Sequence, residues 1–412
     1  MWPAEDDYAS SAPPLLPSRQ WLDKIFQNYG ERDINLAGQI FDIEPTPIGM
    51  GSTSDVFRAK SSKHNELVAV KRIRLFLLDN VEFAKSLSRE MRIWSQLNHP
   101  NVLPLLGFFL DGPKGIPNFI SKWMKNGTVV DYAKRKHAEL KWNDETLRRI
   151  VREMAMGLDY LHDKRFIVHA DLKGSNVLMS DDDRPLLADF GLAVSSSSGS
   201  LGQSAHHGNK GTLRWMAIEL HKSLSSLDPS EIPRHTVKTD IWSFGMVVYE
   251  IIALKDPYAS IKSDILVSKA ILAGQLPIHP WPSLCQLREL FPSKFITQQI
   301  YTTVEACWNN DPQNRPSAKD IVFQLGGSVR LRSRTVVELI EATERKIETV
   351  NLLSFQTELG VPGSLLEEFG AEELAKIGDG NGEMEIVSCF ESSTGSLAEG
   401  SRTCWGGTSE FV

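Results

Sequence analysis

The sequence predicts an α+β fold in which strands come first and helices follow, and three observations predict it. Apolar runs rich in β-branched and aromatic residues crowd the segment from Phe41 to Leu110, at Phe41–Lys60, Val68–Lys71 and around Val102–Leu110. Long apolar stripes at helical spacing come later: Leu147, Ile150, Val151, Met154, Leu158 and Leu161 recur through Asn143–Leu161, and a very apolar helix opens at Asp240 and runs through Leu254. Between these regions, Ile167–Leu178 has apolar ends that read as two short strands enclosing a basic residue, an acid and an amide.

Size and charge narrow the function. The chain has 412 residues, enough for a sizeable core, and a formal net charge of −7. That balance argues against a general nucleic-acid or membrane-surface binder. The charge is uneven: Leu331–Val412 carries 15 acidic and 6 basic residues, about −9, which leaves about +2 for the rest. The four cysteines, Cys285, Cys307, Cys389 and Cys404, show no C-x-x-C spacing, so no structural zinc site is expected. The start, Met1–Asp7, is acidic and unlike a signal peptide, and no run has the length of a membrane span; the expected setting is cytoplasmic, with nuclear access left open.

The loop Ile167–Leu178 has the ingredients of a reaction centre. Asp171 can accept a proton from an incoming hydroxyl, Lys173 can neutralise charge on a transferring phosphoryl group, and Asn176 can hold a divalent cation by its amide oxygen. Downstream, Asp189 follows the apolar run Leu186–Ala188 and precedes Phe190-Gly191, where a magnesium ligand would stand. His169-Ala170-Asp171-Leu172-Lys173-Gly174-Ser175-Asn176 and Asp189-Phe190-Gly191, in that order and spacing, resemble the catalytic and magnesium loops of a eukaryotic protein kinase. The resemblance covers roughly Phe41–Leu325. It implies a two-lobed fold, a small β-rich lobe over about 41–120, a hinge over about 121–127 and a larger helical lobe over about 128–325.

Taken in order, residues 1–17 mix Pro, Ser and acids and read as a flexible lead. Residues 18–40 begin with Trp21, Leu22, Ile25, Phe26 and Tyr29 at helical spacing, a short amphipathic helix expected to pack on the following domain. Ile48-Gly49-Met50-Gly51 precedes β-branched and aromatic residues, so the glycines cap a hairpin, and Ser54 stands where the family has a third glycine. By resemblance this hairpin covers the phosphates of ATP. Lys71, ending the next strand, matches the family's phosphate-contacting lysine, and Glu90, in a helix over Phe83–Leu97, is its expected partner. Phe119–Gly127 resembles the hinge, whose main chain at Lys122, Trp123 and Met124 would bind adenine, with Ser121 behind and Val56, Ala69 and Leu178 sandwiching the ring.

Past Asp189, the Ser- and Gly-rich segment Ser195–Lys210 occupies the place of an activation loop. Gly211–Glu219 resembles the substrate-docking stretch, with Ile218 where the family has proline, and Glu219 is expected to pair with Arg315. Asp240 is expected to accept amides from the catalytic loop. After the domain, Thr335–Glu338 and Ser364–Glu367 have capping-box form, so 326–377 reads as a helical extension with room for a protein partner, and 378–412 as a disordered acidic tail.

The resemblance implies transfer of the ATP γ-phosphate to protein hydroxyls. Asp171, Lys173, Asn176, Lys71 and Glu90 form the catalytic set, and Asn176 and Asp189 hold Mg2+. Lys173 and Thr212 resemble serine/threonine kinases, and Trp215-Met216 with Asp240–Gly245 resemble the tyrosine-kinase-like branch of that group; dual specificity stays open. Ala170 departs from family members that use an arginine there to grip a phosphorylated activation loop, so dependence on that clamp is not expected. The alternative is a pseudokinase scaffold that binds nucleotide without efficient transfer, to which Ser54, Ala170 and Ile218 point.

Overall fold

Strands β1 (Ile40–Phe41), β2 (Gly49–Met50), β3 (Ser54–Ser61) and β4 (Glu66–Ile73) lead into helix α1 (Val81–Trp94), then β5 (Leu105–Asp111) and β6 (Ile116–Lys122). The computed structural model describes residues 33–112, 115–139, 141–195, 212–225, 234–277 and 294–326, together with Leu22 and Phe26. The chain divides into units 1–345 and 346–412, and every described residue belongs to the first. The remaining expectations for the lead, for the activation-loop segment after Ser195 and for the extension and tail beyond 326 fall outside the described residues.

The six strands form one antiparallel sheet in the order β1-β3-β4-β6-β5, with β2 paired to β3 as a hairpin. Pairing sets which side chains share a face, because directly opposed residues point the same way and neighbours alternate. Gly49 opposes Val56, Val56 opposes Lys71, and Lys71 opposes Phe119; Ala69 opposes Ser121. These residues therefore line one face. The other face buries Ala59, Val68, Val70 and Ile120 beneath Leu36. Leu22 and Phe26 are helical and buried, and the Phe26 ring lies 5.0 Å from that of Phe108, so these two pack on the domain as the helical spacing predicts.

Helix α1 begins earlier than the sequence suggests and ends before Leu97. The cause at its start is Asn80, whose side chain accepts the Phe83 amide at 2.9 Å and caps the helix.

The second lobe follows as α2 (Val129–Ala138) and α3 (Asp144–Asp159), the short strands β7 (Ile167–Val168), β8 (Val177–Met179), β9 (Pro185–Leu187) and β10 (Val194–Ser195), and helices α4 (Ile218–Ser225), α5 (Val237–Ala253), α6 (Asp264–Leu272), α7 (Lys294–Cys307) and α8 (Ala318–Gly326). All six stripe residues of Asn143–Leu161 are buried. After Asp159 the helix widens into a five-residue π turn, Tyr160–Lys164, stacked through Tyr160 on His99 with ring centroids 4.9 Å apart. Thr236 and Thr239 form a capping box that starts α5, and most of that helix is buried. It is the floor on which the loops of the site rest. No helix among the described residues is long and apolar enough to cross a membrane.

Candidate active site

Lys71 reaches the cleft from β4 and meets two carboxylates from distant parts of the chain. Its Nζ lies 2.7 Å from Glu90 Oε1 on α1 and 2.9 Å from Asp189 Oδ1 beyond β9. Burial opposes the Lys71 charge, but Asp189 and Glu90 together raise its pKa. Burial, with the Asp189 charge, pushes Glu90 up against the pull of Lys71. The lysine holds Asp189 down at about 2. Glu90 is the buried brace, whereas the Asp189 side chain keeps 44% of its surface exposed to the cleft.

Two neighbours hold the backbone at Asp189, which is left-handed with φ +64°. Phe190 is fully buried against Trp94 and His169, with centroids 6.4 and 5.3 Å away. The His169 ring bonds the Ala188 carbonyl through Nε2 at 3.0 Å, which assigns the proton to Nε2 and leaves Nδ1 to accept the Asp171 amide at 3.4 Å. One histidine therefore links the loop of Asp171 to the loop of Asp189.

The loop between β7 and β8 brings its three polar residues together. Lys173 Nζ lies 2.8 Å from Asp171 Oδ2 and 3.2 Å from the Thr212 hydroxyl. The Asn176 amide nitrogen bonds the Asp171 carbonyl at 2.8 Å and Oδ2 at 3.1 Å. Asp171 is buried, and its Oδ1 has no hydrogen-bond partner. A carboxylate with one oxygen held and the other without a partner keeps acceptor capacity to spare.

Two acids on α5 hold this loop from below. Asp240 accepts the amides of His169 at 2.7 Å and Ala170 at 2.9 Å, and His162 Nε2 lies 2.8 Å from its Oδ2. Burial opposes its charge, yet the bonded ring of His162 and the Ala170 amide outweigh it and keep the carboxyl below the usual range. Glu250, later on the same helix, accepts the Gly174 amide and the Trp215 indole N–H, each at 2.9 Å. The sequence reading found Asp240 but not Glu250 or His162. A second acid in so apolar a helix was the available signal for Glu250. No local pattern marks His162.

The nucleotide-facing residues are placed unevenly. Val56, Ala69 and Lys71 share the cleft face of the sheet by register. Gly49 lies on that face too, and the Gly51 amide closes the hairpin on the Ser54 carbonyl at 2.8 Å. Ser54, at the third glycine position, is buried. Met50 opposes Asp55 on the outer face and is 78% exposed, so it offers the cleft only main chain; Ile48, just before β2, is also exposed. At the hinge, the Trp123 amide is bonded to the Leu67 carbonyl at 3.1 Å. That bond makes 67 and 123 the hydrogen-bonded pair and turns the polar groups of Lys122 away from β4. The Trp123 amide and the Met124 carbonyl are thus engaged within the protein, the latter by the Gly127 amide at 3.1 Å. Leu178, on β8, is partly buried.

The donor set suits a divalent cation bound beside phosphate. Asp189 presents a half-exposed carboxylate, and Asn176 uses its amide nitrogen on Asp171 and leaves its amide oxygen for another ligand. Both are hard oxygen donors. Farther off, Glu219 pairs with the fully buried Arg315 through two contacts of 2.7 Å, joining α4 to the turn before α8 as expected.

Comparison with known proteins agrees with this geometry. Residues 44–324 match the family model of the protein kinase domain. The probable serine/threonine-protein kinase drkC of Dictyostelium discoideum is 29% identical over 69% of this chain and 36% of its own length. The tyrosine-protein kinase receptor svh-2 of Caenorhabditis elegans is 28% identical over 67% of the chain and 23% of its own. The probable serine/threonine-protein kinase PBL24 of Arabidopsis thaliana is 32% identical over 68% and 69%. The chain thus spans 36% and 23% of the length of the first two relatives, and the names carry both acceptor classes. With a family match over more than half its length and the two-lobed fold around it, this chain belongs to the eukaryotic protein kinase family.

Proposed function

We propose that this protein moves the γ-phosphoryl group of ATP to serine and threonine hydroxyls of protein acceptors. The observation that carries the reading is Asp171, whose Oδ2 is held by Lys173 and Asn176 while Oδ1 is buried and bare. A bare, oriented carboxylate oxygen suits an incoming hydroxyl, which it can align and relieve of its proton. Beside it, the Lys173 ammonium can offset negative charge as the phosphoryl group passes, at little cost in reorganisation because it is already held.

Lys71 binds phosphate oxygens of ATP, and Glu90 keeps the ammonium in place when Asp189 turns to another cation. Adenine lies between Val56, Ala69 and Leu178 and bonds the main chain at Lys122 and Met124. A divalent ion, Mg2+ in this reading, would be held by Asn176 and Asp189 and would supply charge neutralisation on the phosphates. The contact of Lys173 with Thr212 supports the serine/threonine assignment, because it sets the acceptor segment against the catalytic loop. The proposed setting is the cytoplasm.

Incubating the purified full chain with labelled ATP and acceptor proteins offering Ser, Thr and Tyr tests the reading. Label is expected on Ser and Thr, falling at least about 100-fold in Asp171→Asn. Label on tyrosine alone overturns the acceptor class. Nucleotide binding without transfer would leave a scaffold in its place.

A further inference from the structure

Glu250 is 5% exposed, deep in the second lobe, and forms no ion pair among the described residues. One of its oxygens nevertheless receives donors from two different segments. The Gly174 amide belongs to the catalytic loop, between Lys173 and Asn176. The Trp215 indole belongs to the turn that follows Thr212. Above them, Lys173 and Thr212 touch at 3.2 Å, so the same two segments meet at the surface of the site and again beneath it. Helix α5 also grips Trp215 by its carbonyl, which accepts the Ser243 hydroxyl at 2.8 Å.

The loop is pressed onto this carboxyl. A Cβ at Gly174 would lie 2.6 Å from the Glu250 carboxyl and 2.5 Å from Val130 Cγ2, so no other residue fits without displacing the clamp. We infer that Glu250 is a positioning residue for phosphoryl transfer, whose carboxylate locks the catalytic loop to the acceptor-docking segment and so sets Lys173 and Asn176 against Thr212. The inference rests on the kinase reading above.

Ionisation controls the strength of the lock, because hydrogen bonds to a carboxylate are stronger than those to the neutral acid. Burial pushes the Glu250 acid up to about 7, with the Trp215 and Gly174 bonds acting against it. The charged groups around it are few. Asp256, beyond the end of α5, opposes ionisation, and Lys134 on α2 favours it. Asp171 and Lys173 on the loop are paired with each other, and Arg214 on the docking segment is turned to the carbonyls of Pro257, Tyr258 and Ile261.

The test compares the full-length protein with Glu250→Gln and Trp215→Phe, which break the lock from either side. Across pH 5.5–8.5, kcat of the native protein is expected to rise with a midpoint near 7. In Glu250→Gln that limb disappears, kcat at high pH falls roughly tenfold, and KM for ATP is unchanged. Trp215→Phe is expected to raise KM for the protein acceptor. Independently of activity, the Trp215 indole proton, identified among the ten tryptophans by its loss in Trp215→Phe, should titrate near pH 7 in the native protein and not in Glu250→Gln. An indole signal that does not titrate, or a native pH profile kept in Glu250→Gln, overturns the inference. A titrating indole in a protein that transfers no phosphoryl group would instead defeat the kinase reading and spare the lock.

Discussion

Asp240 and Glu250 sit on one helix, are both buried and both accept main-chain amides of the same loop, yet their acids shift in opposite directions. Asp240 takes two amides and the ring of His162, and its acid is held below the usual range. Glu250 takes one amide and one indole, and burial lifts its acid to about 7. Burial alone does not set a charge. The number and kind of donors do, and the helix therefore has one permanently charged anchor and one that neutral pH can loosen.

The largest effect should come from removing the anchor. Asp240→Ala strands the amides of His169 and Ala170 and the ring of His162, and a loss of about 3–5 kcal/mol in urea unfolding is expected. A loss below about 1 kcal/mol would mean that water replaces the carboxylate and that the two ends of the helix do not differ as described.

A smaller effect, of opposite pH sense, is expected at the other end. Folding raises the Glu250 pKa from 4.5 to about 7, so the folded state binds a proton that the unfolded chain has released in that window. Its stabilising contribution is full below 4.5 and is lost as pH rises through about 7. Native stability relative to Glu250→Gln should therefore fall as pH rises from 5 to 8, by about 3 kcal/mol at most. For Asp240, whose folded pKa is depressed, the contribution is present above the unfolded value of 3.8 and lost in acid. A flat stability difference between native protein and Glu250→Gln would erase the contrast. With the kinetic test above, the pair exposes a trade: the charge that tightens the lock is the charge that burial disfavours.

The smallest effect concerns Ala170. Its amide is held by Asp240 and its backbone is left-handed, with φ +66°, but its methyl group offers nothing to a phosphate. Replacing Ser195, Ser196, Ser197 and Ser198 together by alanine is expected to change kcat by less than about threefold. A near-total loss would show that the loop needs a clamp other than the helix floor.

Much of the site is legible in the chain because its motifs are contiguous. Asp171, Lys173 and Asn176 lie within six residues, and a loop between two short strands has few ways to arrange them apart. Lys71 and Glu90 are readable for another reason: a strand-end lysine facing a cleft needs an anion, and the next helix has one. The helix stripe through Leu161 is equally plain, since its period depends on the chain alone. The start of α1 was misjudged because Asn80 caps it through one side-chain bond. At Met50, register with Asp55 turns the side chain outward and leaves the main chain as what it can offer a nucleotide. The bond from the Trp123 amide to Leu67, on another strand, has no local signal.

The chain by itself determined which chemical groups are present, their order and the periodicity that makes strands first and helices after, because these depend on residue type and on neighbours within a few positions. The fold alone decided which oxygen of Asp171 stays bare, that Lys71 has two carboxylates and not one, and that Glu250 holds two loops at once. Those facts follow from distances between residues remote in sequence, and packing sets such distances only when the whole domain closes around them.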